Sequence, residues 1–164
     1  GSKPKAGVAI ADERLLSQAK AWAREAGCEV VDFMHPPMRH DRASGPAGAV
    51  GEALDGYRDL DVLITDRFHG SILALQVSDA SIIGIESASA YTEPNGKLRD
   101  LYDRLQLGDR LLRSGPDGLD KQQFLHLMRN KQCGRAEMLE RFALLRAQGF
   151  ASLVRAMRSL EPAA

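Results

Sequence analysis

The sequence has few cysteines, no excess of either charge and no long apolar segment. Its two cysteines, Cys28 and Cys133, are too few for the disulfide framework of a small secreted domain, so we expect two thiols in a reducing compartment. Lysine plus arginine equals aspartate plus glutamate, at 22 residues each. This balance gives no general attraction to nucleic acid or to an anionic membrane, and we expect neither as a partner.

Signals for membrane insertion and secretion are absent as well. No apolar run approaches the roughly 18 residues that a spanning helix needs, and the N-terminal stretch GSKPKAG lacks the apolar segment of a secretory signal. We therefore expect a cytoplasmic chain without a transmembrane segment. A glycine-rich phosphate loop is also absent after the first predicted strand, where Ala11, Asp12 and Glu13 stand instead. This absence argues against a dinucleotide cofactor.

Short continuous apolar runs alternate with stretches of helical spacing along the chain. The runs predict strands at 7–11, 29–34, 61–65 and 81–85 and a short one at 110–113; the spacing predicts helices at 13–25, 50–58, 71–77, 97–105, 120–130 and 135–160. This alternation predicts an α/β, Rossmann-like three-layer domain with a parallel sheet of four to six strands. We assign residues 3–115 to a Rossmann-like donor-binding domain. Residues 116–164 are a helical C-terminal extension that packs on the same domain or on a neighbouring one.

The segment DVLITDRFHGSILALQ places polar residues between a buried strand and an apolar helix. Ligands of open parallel sheets lie at the carboxyl ends of the strands, and the first N–H groups of the following helix attract anions. Arg67 adds a planar fork suited to phosphate or carboxylate, His69 adds a titratable donor, and Gly70 permits close approach. We expect Arg67 and His69 to point into one cleft at this edge. Pairing of Arg67 with Asp61 or Asp66 is the alternative.

The same segment resembles the polysaccharide pyruvyl transferase family, which carries an Arg-x-His-Gly/Ala loop between a buried strand and an apolar helix. The resemblance continues through SIIGIESASAYTEPNGKLRDLYDRLQL, where the family has a loop with a tyrosine and a lysine; Tyr91 and Lys97 occupy those places. It covers residues 61–107. One departure lies at residues 77–81, VSDAS, where the family has a Gly-x-Pro-like turn.

The resemblance implies a transferase that moves an enolpyruvyl-derived group from phosphoenolpyruvate onto a sugar, forming a pyruvate ketal in cell-surface polysaccharide biosynthesis. It implies a glycosyltransferase-B-like (GT-B) fold of two Rossmann-like domains, of which this chain is the C-terminal one, inactive alone. The implied partners are the phosphoenolpyruvate donor, a glycan or lipid-linked sugar acceptor and the N-terminal domain of a longer parent chain. No cofactor is implied. The implied substrate-binding residues are Arg67, Phe68, His69, Gly70, Ser71, Tyr91 and Lys97, with His69 also the catalytic residue.

Three other features suggest alternatives. The stretch HPPMRHDR, residues 35–42, holds two histidines and an aspartate, but its prolines and loose spacing favour a solvated loop or a basic flap over a metal site. Glu86 and Glu93 lie where many glycosyltransferases hold a donor ribose, which suggests a nucleotide-sugar-binding GT-B donor domain instead. A non-catalytic interaction domain that binds a partner through its long C-terminal helix is the third alternative.

Overall fold

A computed structural model of the chain describes residues 1–33, 51, 54–87 and 96–159. Five strands lie in these ranges: β1 (Lys5–Ala9), β2 (Glu29–Asp32), β3 (Val62–Thr65), β4 (Ser81–Glu86) and β5 (Leu111–Arg113). The helices are α1 (Glu13–Glu25), α2 (Phe68–Val77), α3 (Lys97–Arg104), α4 (Lys121–Arg129) and α5 (Arg135–Ser159). Residues 54–58 are also helical, and a 3₁₀ turn covers Gly108–Arg110.

The strands form one parallel sheet in the order β2-β1-β3-β4-β5, which confirms the predicted α/β fold. Every residue of β3 and β4 is buried, as expected of strands covered on both faces. The chain leaves β1 for β2 on one side and returns to place β3 on the other. The boundary between β1 and β3 is therefore the topological switch point, where open α/β sheets bind ligands at the carboxyl ends of their strands.

Two apolar layers cover the sheet, so the predicted three-layer arrangement is confirmed. Alternate strand residues such as Leu63 and Ile82 pack on one face against α2, α3 and the start of α5. Their neighbours Ile64 and Ile83 pack on the other face against α1 and α4. The C-terminal helices thus contribute to the core of this domain, α5 through Met138 and Phe142.

Helix α1 shows how local sequence sets the boundaries of an element. Asp12 caps the N-terminus, where its carboxylate accepts from the Leu15 N–H at 3.0 Å. Leu15, Ala19 and Ala23 then place one buried stripe on the sheet. Gly27 follows the end of the helix at φ 89°, in the left-handed region that favours glycine. The predicted helix at 13–25 is confirmed.

Arg110 is a buried arginine that ties three elements together near the start of β4. It is 3% exposed, and its guanidinium donates four hydrogen bonds to neutral acceptors. Nε donates to the carbonyl of Ile82 at 2.6 Å, and Nη2 donates to Ser81 Oγ at 2.8 Å. The carbonyls of Leu127 and Asn130, at the end of α4, accept at 3.0 and 2.7 Å. Desolvation by burial lowers the pKa of Arg110.

A helix that spans a membrane needs about 20 predominantly apolar residues. Among the described residues, none of the helices combines the length and the apolar character that crossing a bilayer requires.

Candidate functional site

The loop between β3 and α2 is fixed to β1 by hydrogen bonds across the switch point. The buried hydroxyl of Thr65 donates to the carbonyl of Ala9 at 3.0 Å and accepts from the N–H of Arg67 at 2.9 Å. The N–H of Asp66 donates to the same Ala9 carbonyl at 3.2 Å. The backbone therefore leaves the sheet in a defined direction before α2 begins.

Helix α2 begins one turn earlier than the sequence predicts. Arg67 is extended, at φ −98° and ψ 122°, and is the N-cap residue, so Phe68, His69 and Gly70 form the first turn. The predicted start at Ser71 is wrong, because Ser71 already donates its N–H to the Arg67 carbonyl at 3.1 Å. His69 and Gly70 are consequently held by a helix rather than by a loose loop.

The first turn of α2 contains no acidic residue, and the nearest carboxylate, that of Asp66, precedes the N-cap residue Arg67 and is paired with it. Asp12 caps α1 and Asp120 caps α4, whereas no side chain caps α2. The first N–H groups of a helix have no intrahelical acceptor, and the dipole there is positive. This end of α2 is therefore suited to an external anion.

Ser71 and Tyr102 support the loop from beneath. Ser71 is fully buried, and its hydroxyl donates to the Arg67 carbonyl at 3.0 Å. Its oxygen lies 3.2 Å from the hydroxyl of Tyr102, which is also fully buried. Since Ser71 has already used its only hydroxyl proton, Tyr102 is the donor of this pair. The predicted substrate contact Ser71 thus points inward, and its side chain positions Arg67.

Asp66 and Arg67 form an ion pair at the switch point. The Asp66 side chain is 9% exposed; Oδ2 accepts from the N–H of Ala11 at 2.8 Å, and Oδ1 lies 3.2 Å from Arg67 Nε. That second contact has the distance of an ion pair but lacks hydrogen-bond geometry. Desolvation raises the pKa of the Asp66 carboxyl, while the Ala11 N–H and the Arg67 charge oppose this shift.

Arg67 nevertheless reaches solvent. Its side chain is 50% exposed, so the pair with Asp66 does not bury it. The alternative predicted from sequence is present for Asp66 only, since Asp61 accepts from the N–H of Lys5 at 2.8 Å instead.

His69, Phe68 and Gly70 occupy three different environments in the first turn of α2. His69 is exposed, and Phe68 is partly buried against the core that includes Leu75. The two rings meet edge to face, with centroids 5.3 Å apart and planes at 86°. Phe68 therefore orients His69 through packing. Gly70 leaves open a space in which a Cβ would lie 3.4 Å from the hydroxyl of Tyr57.

Tyr57 borders the candidate site beside Gly70 and was not predicted from the sequence. It comes from the helical stretch 54–58, half-buried, and its ring contacts Phe33 edge to face at 4.8 Å. Burial raises the pKa of Tyr57, so the hydroxyl stays protonated at neutral pH. No local motif indicates Tyr57. Its position follows from the strand–helix–strand topology, which brings the helix before β3 next to the loop after β3.

Lys97 and Glu86 are the other predicted residues that the structure describes. Lys97 is exposed at the first position of α3, while Tyr91, Glu93 and residues 35–42 lie outside the described residues. Glu86, at the end of β4, is 4% exposed. Its two carboxylate oxygens accept from Arg99 Nε at 3.0 Å and Nη2 at 2.6 Å. This bidentate pair joins β4 to α3 and engages both carboxylate oxygens of Glu86.

Comparison with known proteins finds no matching family model, no matching curated protein and no matching solved structure. Across the part of the chain that the structure describes, no group of three or more histidine, cysteine or acidic side chains is placed to hold a metal ion. Arg67 and His69 are the exposed guanidinium and imidazole groups at the start of α2.

Proposed function

We propose that this domain binds phosphoenolpyruvate at the β3–α2 loop, as the C-terminal donor domain of a cytoplasmic, polysaccharide pyruvyl transferase-like enzyme. The observation that carries the proposal is the placement of Arg67 and His69, both exposed, at the uncapped N-terminus of α2. The transfer that we propose forms a pyruvate ketal on a glycan or lipid-linked sugar. The second domain of the parent enzyme would hold that acceptor.

The chemistry of the donor fits these groups. Phosphoenolpyruvate is small and carries a phosphate and a carboxylate, both of which pair well with a planar guanidinium. The N–H groups at the start of α2 suit the phosphate, because the helix dipole favours negative charge there. Gly70 offers no side chain that would keep an anion from this backbone. Phe68, Tyr91 and Lys97 remain proposed contacts of the same ligand.

The proposal is tested by calorimetric titration of the domain with phosphoenolpyruvate and, separately, with uridine diphosphate. We expect binding of phosphoenolpyruvate, because its two anionic groups match Arg67 and the first turn of α2. A nucleotide would need a ribose partner, and Glu86 is already held by Arg99. Tighter binding of uridine diphosphate would contradict the proposal and favour a nucleotide-sugar donor domain. The absence of heat with both ligands would also contradict it.

We propose that His69 transfers a proton during ketal formation, to the departing phosphate or to the enol carbon that becomes a methyl group. Substitution His69→Asn keeps a hydrogen-bond donor and removes the titratable group. We expect the parent enzyme with this substitution to bind phosphoenolpyruvate and to turn over roughly 100-fold more slowly, as general acid catalysis typically contributes. Wild-type turnover between pH 5 and 8 would leave His69 with a binding role alone.

An interaction domain is the second candidate, and one observation favours it. Leu144 on α5 is 62% exposed and Leu139 is 38% exposed, although α5 packs on the sheet through Met138 and Phe142. Exposed leucines on a long helix suit a protein partner. Binding of neither anion, together with self-association or co-purification lost in Leu144→Ser, would favour this function over donor binding.

A further inference from the structure

We infer that the hydroxyl of Tyr57 donates a hydrogen bond to the anion held at the β3–α2 loop, which makes Tyr57 a further substrate-binding residue. This inference rests on the proposed function, since the ligand is the same small phosphate- and carboxylate-bearing donor. It extends the site from one loop to a second element of the chain, the helical stretch 54–58 that precedes β3.

The hydroxyl of Tyr57 lies close to Gly70. A Cβ built on Gly70 would lie 3.4 Å from the Tyr57 hydroxyl, 3.5 Å from Arg67 Cβ and 3.8 Å from Thr65 Oγ1. The space that Gly70 leaves open is therefore bordered by Tyr57 and by the residue that carries the guanidinium. An anion that contacts the first turn of α2 beside Gly70 comes within reach of this phenol.

Within the described residues, no group forms a hydrogen bond with the Tyr57 hydroxyl. The hydroxyl of Tyr102, by contrast, binds Ser71. Thr65 Oγ1 is fully engaged, since it donates to Ala9 and accepts from Arg67. The Tyr57 oxygen also reaches solvent, so it can donate to a ligand that takes the place of water.

The ring of Tyr57 is held in place by packing, and its hydroxyl is protonated. Its ring packs on the core and meets Phe33 edge to face, with planes at 61°. A ring fixed in this way loses little freedom when its hydroxyl binds a ligand. Because burial raises the pKa of Tyr57, the group is a donor rather than an anion throughout the neutral range.

The substitution Tyr57→Phe tests the inference, because it removes the hydroxyl and keeps the ring. We expect the affinity for phosphoenolpyruvate and for inorganic phosphate to fall roughly tenfold, the usual effect of one hydrogen bond to a charged group. The control is Ser78→Ala, which removes a buried hydroxyl that donates to the Ala74 carbonyl at the opposite end of α2. That variant should retain wild-type affinity while its melting temperature falls.

A second variant separates the hydroxyl from general damage. Gly70→Ala places a methyl group at ordinary contact distance from Tyr57, so the fold should persist while the ligand is displaced from the hydroxyl. If Tyr57→Phe and Gly70→Ala act on the same contact, their effects are not additive. The double variant should then bind only slightly more weakly than the single variant with the lower affinity. Additive losses in the double variant would contradict the inference, because Gly70→Ala would then act on the helix backbone and not on the contact with Tyr57.

The outcomes distinguish this inference from the proposed function. Wild-type binding of phosphoenolpyruvate with less than a twofold change in Tyr57→Phe overturns the role of Tyr57 and leaves the proposed function standing. Wild-type protein that binds neither phosphoenolpyruvate nor phosphate overturns both. Equal losses in Tyr57→Phe and Ser78→Ala would also overturn it, since a general loss of stability would then explain both effects.

Discussion

Substitution of Arg110 with methionine is expected to lower the free energy of unfolding by about 3 kcal/mol or more. The side chain satisfies four acceptors at once, two of them main-chain carbonyls at the end of α4. Each buried acceptor left without a partner costs roughly 1–3 kcal/mol. The relief of desolvation on removing a buried charge offsets part of this sum. Urea denaturation followed by circular dichroism measures the change.

Arg113 provides the matched control for this prediction. It is exposed on β5, three residues after Arg110, so Arg113→Met should change the free energy of unfolding by less than about 0.5 kcal/mol. Arg110→Lys should fall between wild type and Arg110→Met, because one ammonium reaches fewer of the four acceptors. A loss below 1 kcal/mol in Arg110→Met would show that the network contributes little.

Replacement of Arg67 with lysine is expected to reduce the affinity for phosphoenolpyruvate about tenfold or more. A guanidinium binds a phosphate or a carboxylate through two parallel hydrogen bonds, and an ammonium cannot reproduce this fork. Hydrogen bonds to charged groups contribute roughly 1.5–3 kcal/mol each, which sets the size of the loss. Calorimetric titration of the variant, beside wild type at the same ionic strength, provides the measurement.

Arg104→Lys is a matched control for this experiment. Arg104 is also an exposed arginine paired with an aspartate, since its Nε lies 2.8 Å from Asp100 Oδ1 and its side chain is 60% exposed. It lies at the end of α3 rather than at the start of α2, so its exchange should leave affinity unchanged. Equal binding by Arg67→Lys and wild type would remove the bidentate contact from the proposal.

The sheet and its layers were predictable because apolar runs report burial directly. Leu63 and Ile64 belong to opposite faces, yet both are apolar, and this continuity indicated a strand covered on both sides. The start of α2 was predicted one turn late for an equally local reason. Ser71 is a favoured N-cap residue type, whereas Arg67, the N-cap in the structure, is not. In the structure Ser71 is buried against Tyr102, which is 31 residues away in sequence, and the local sequence does not indicate this contact.

The parts of the site that were missed depend on long-range contacts. The Asp66 carboxylate accepts from Ala11, 55 residues away, and Tyr57 reaches Gly70 only after the chain has passed through β3. Arg110 was assigned to the beginning of a strand, and nothing near it in sequence indicates that its side chain is buried among carbonyl groups. Sequence patterns identify the elements and the exposed loop, but the partners of polar side chains follow from tertiary packing.

Arg110 and Arg67 lie at opposite ends of the parallel strands. The former binds residues at the start of β4, and the latter follows the end of β3. Groups that hold the structure together are thereby kept apart from the groups that we propose bind a ligand. Proteins with this arrangement can exchange exposed residues such as His69 or Lys97 with little loss of folding stability. Such exchanges can change which anion is bound.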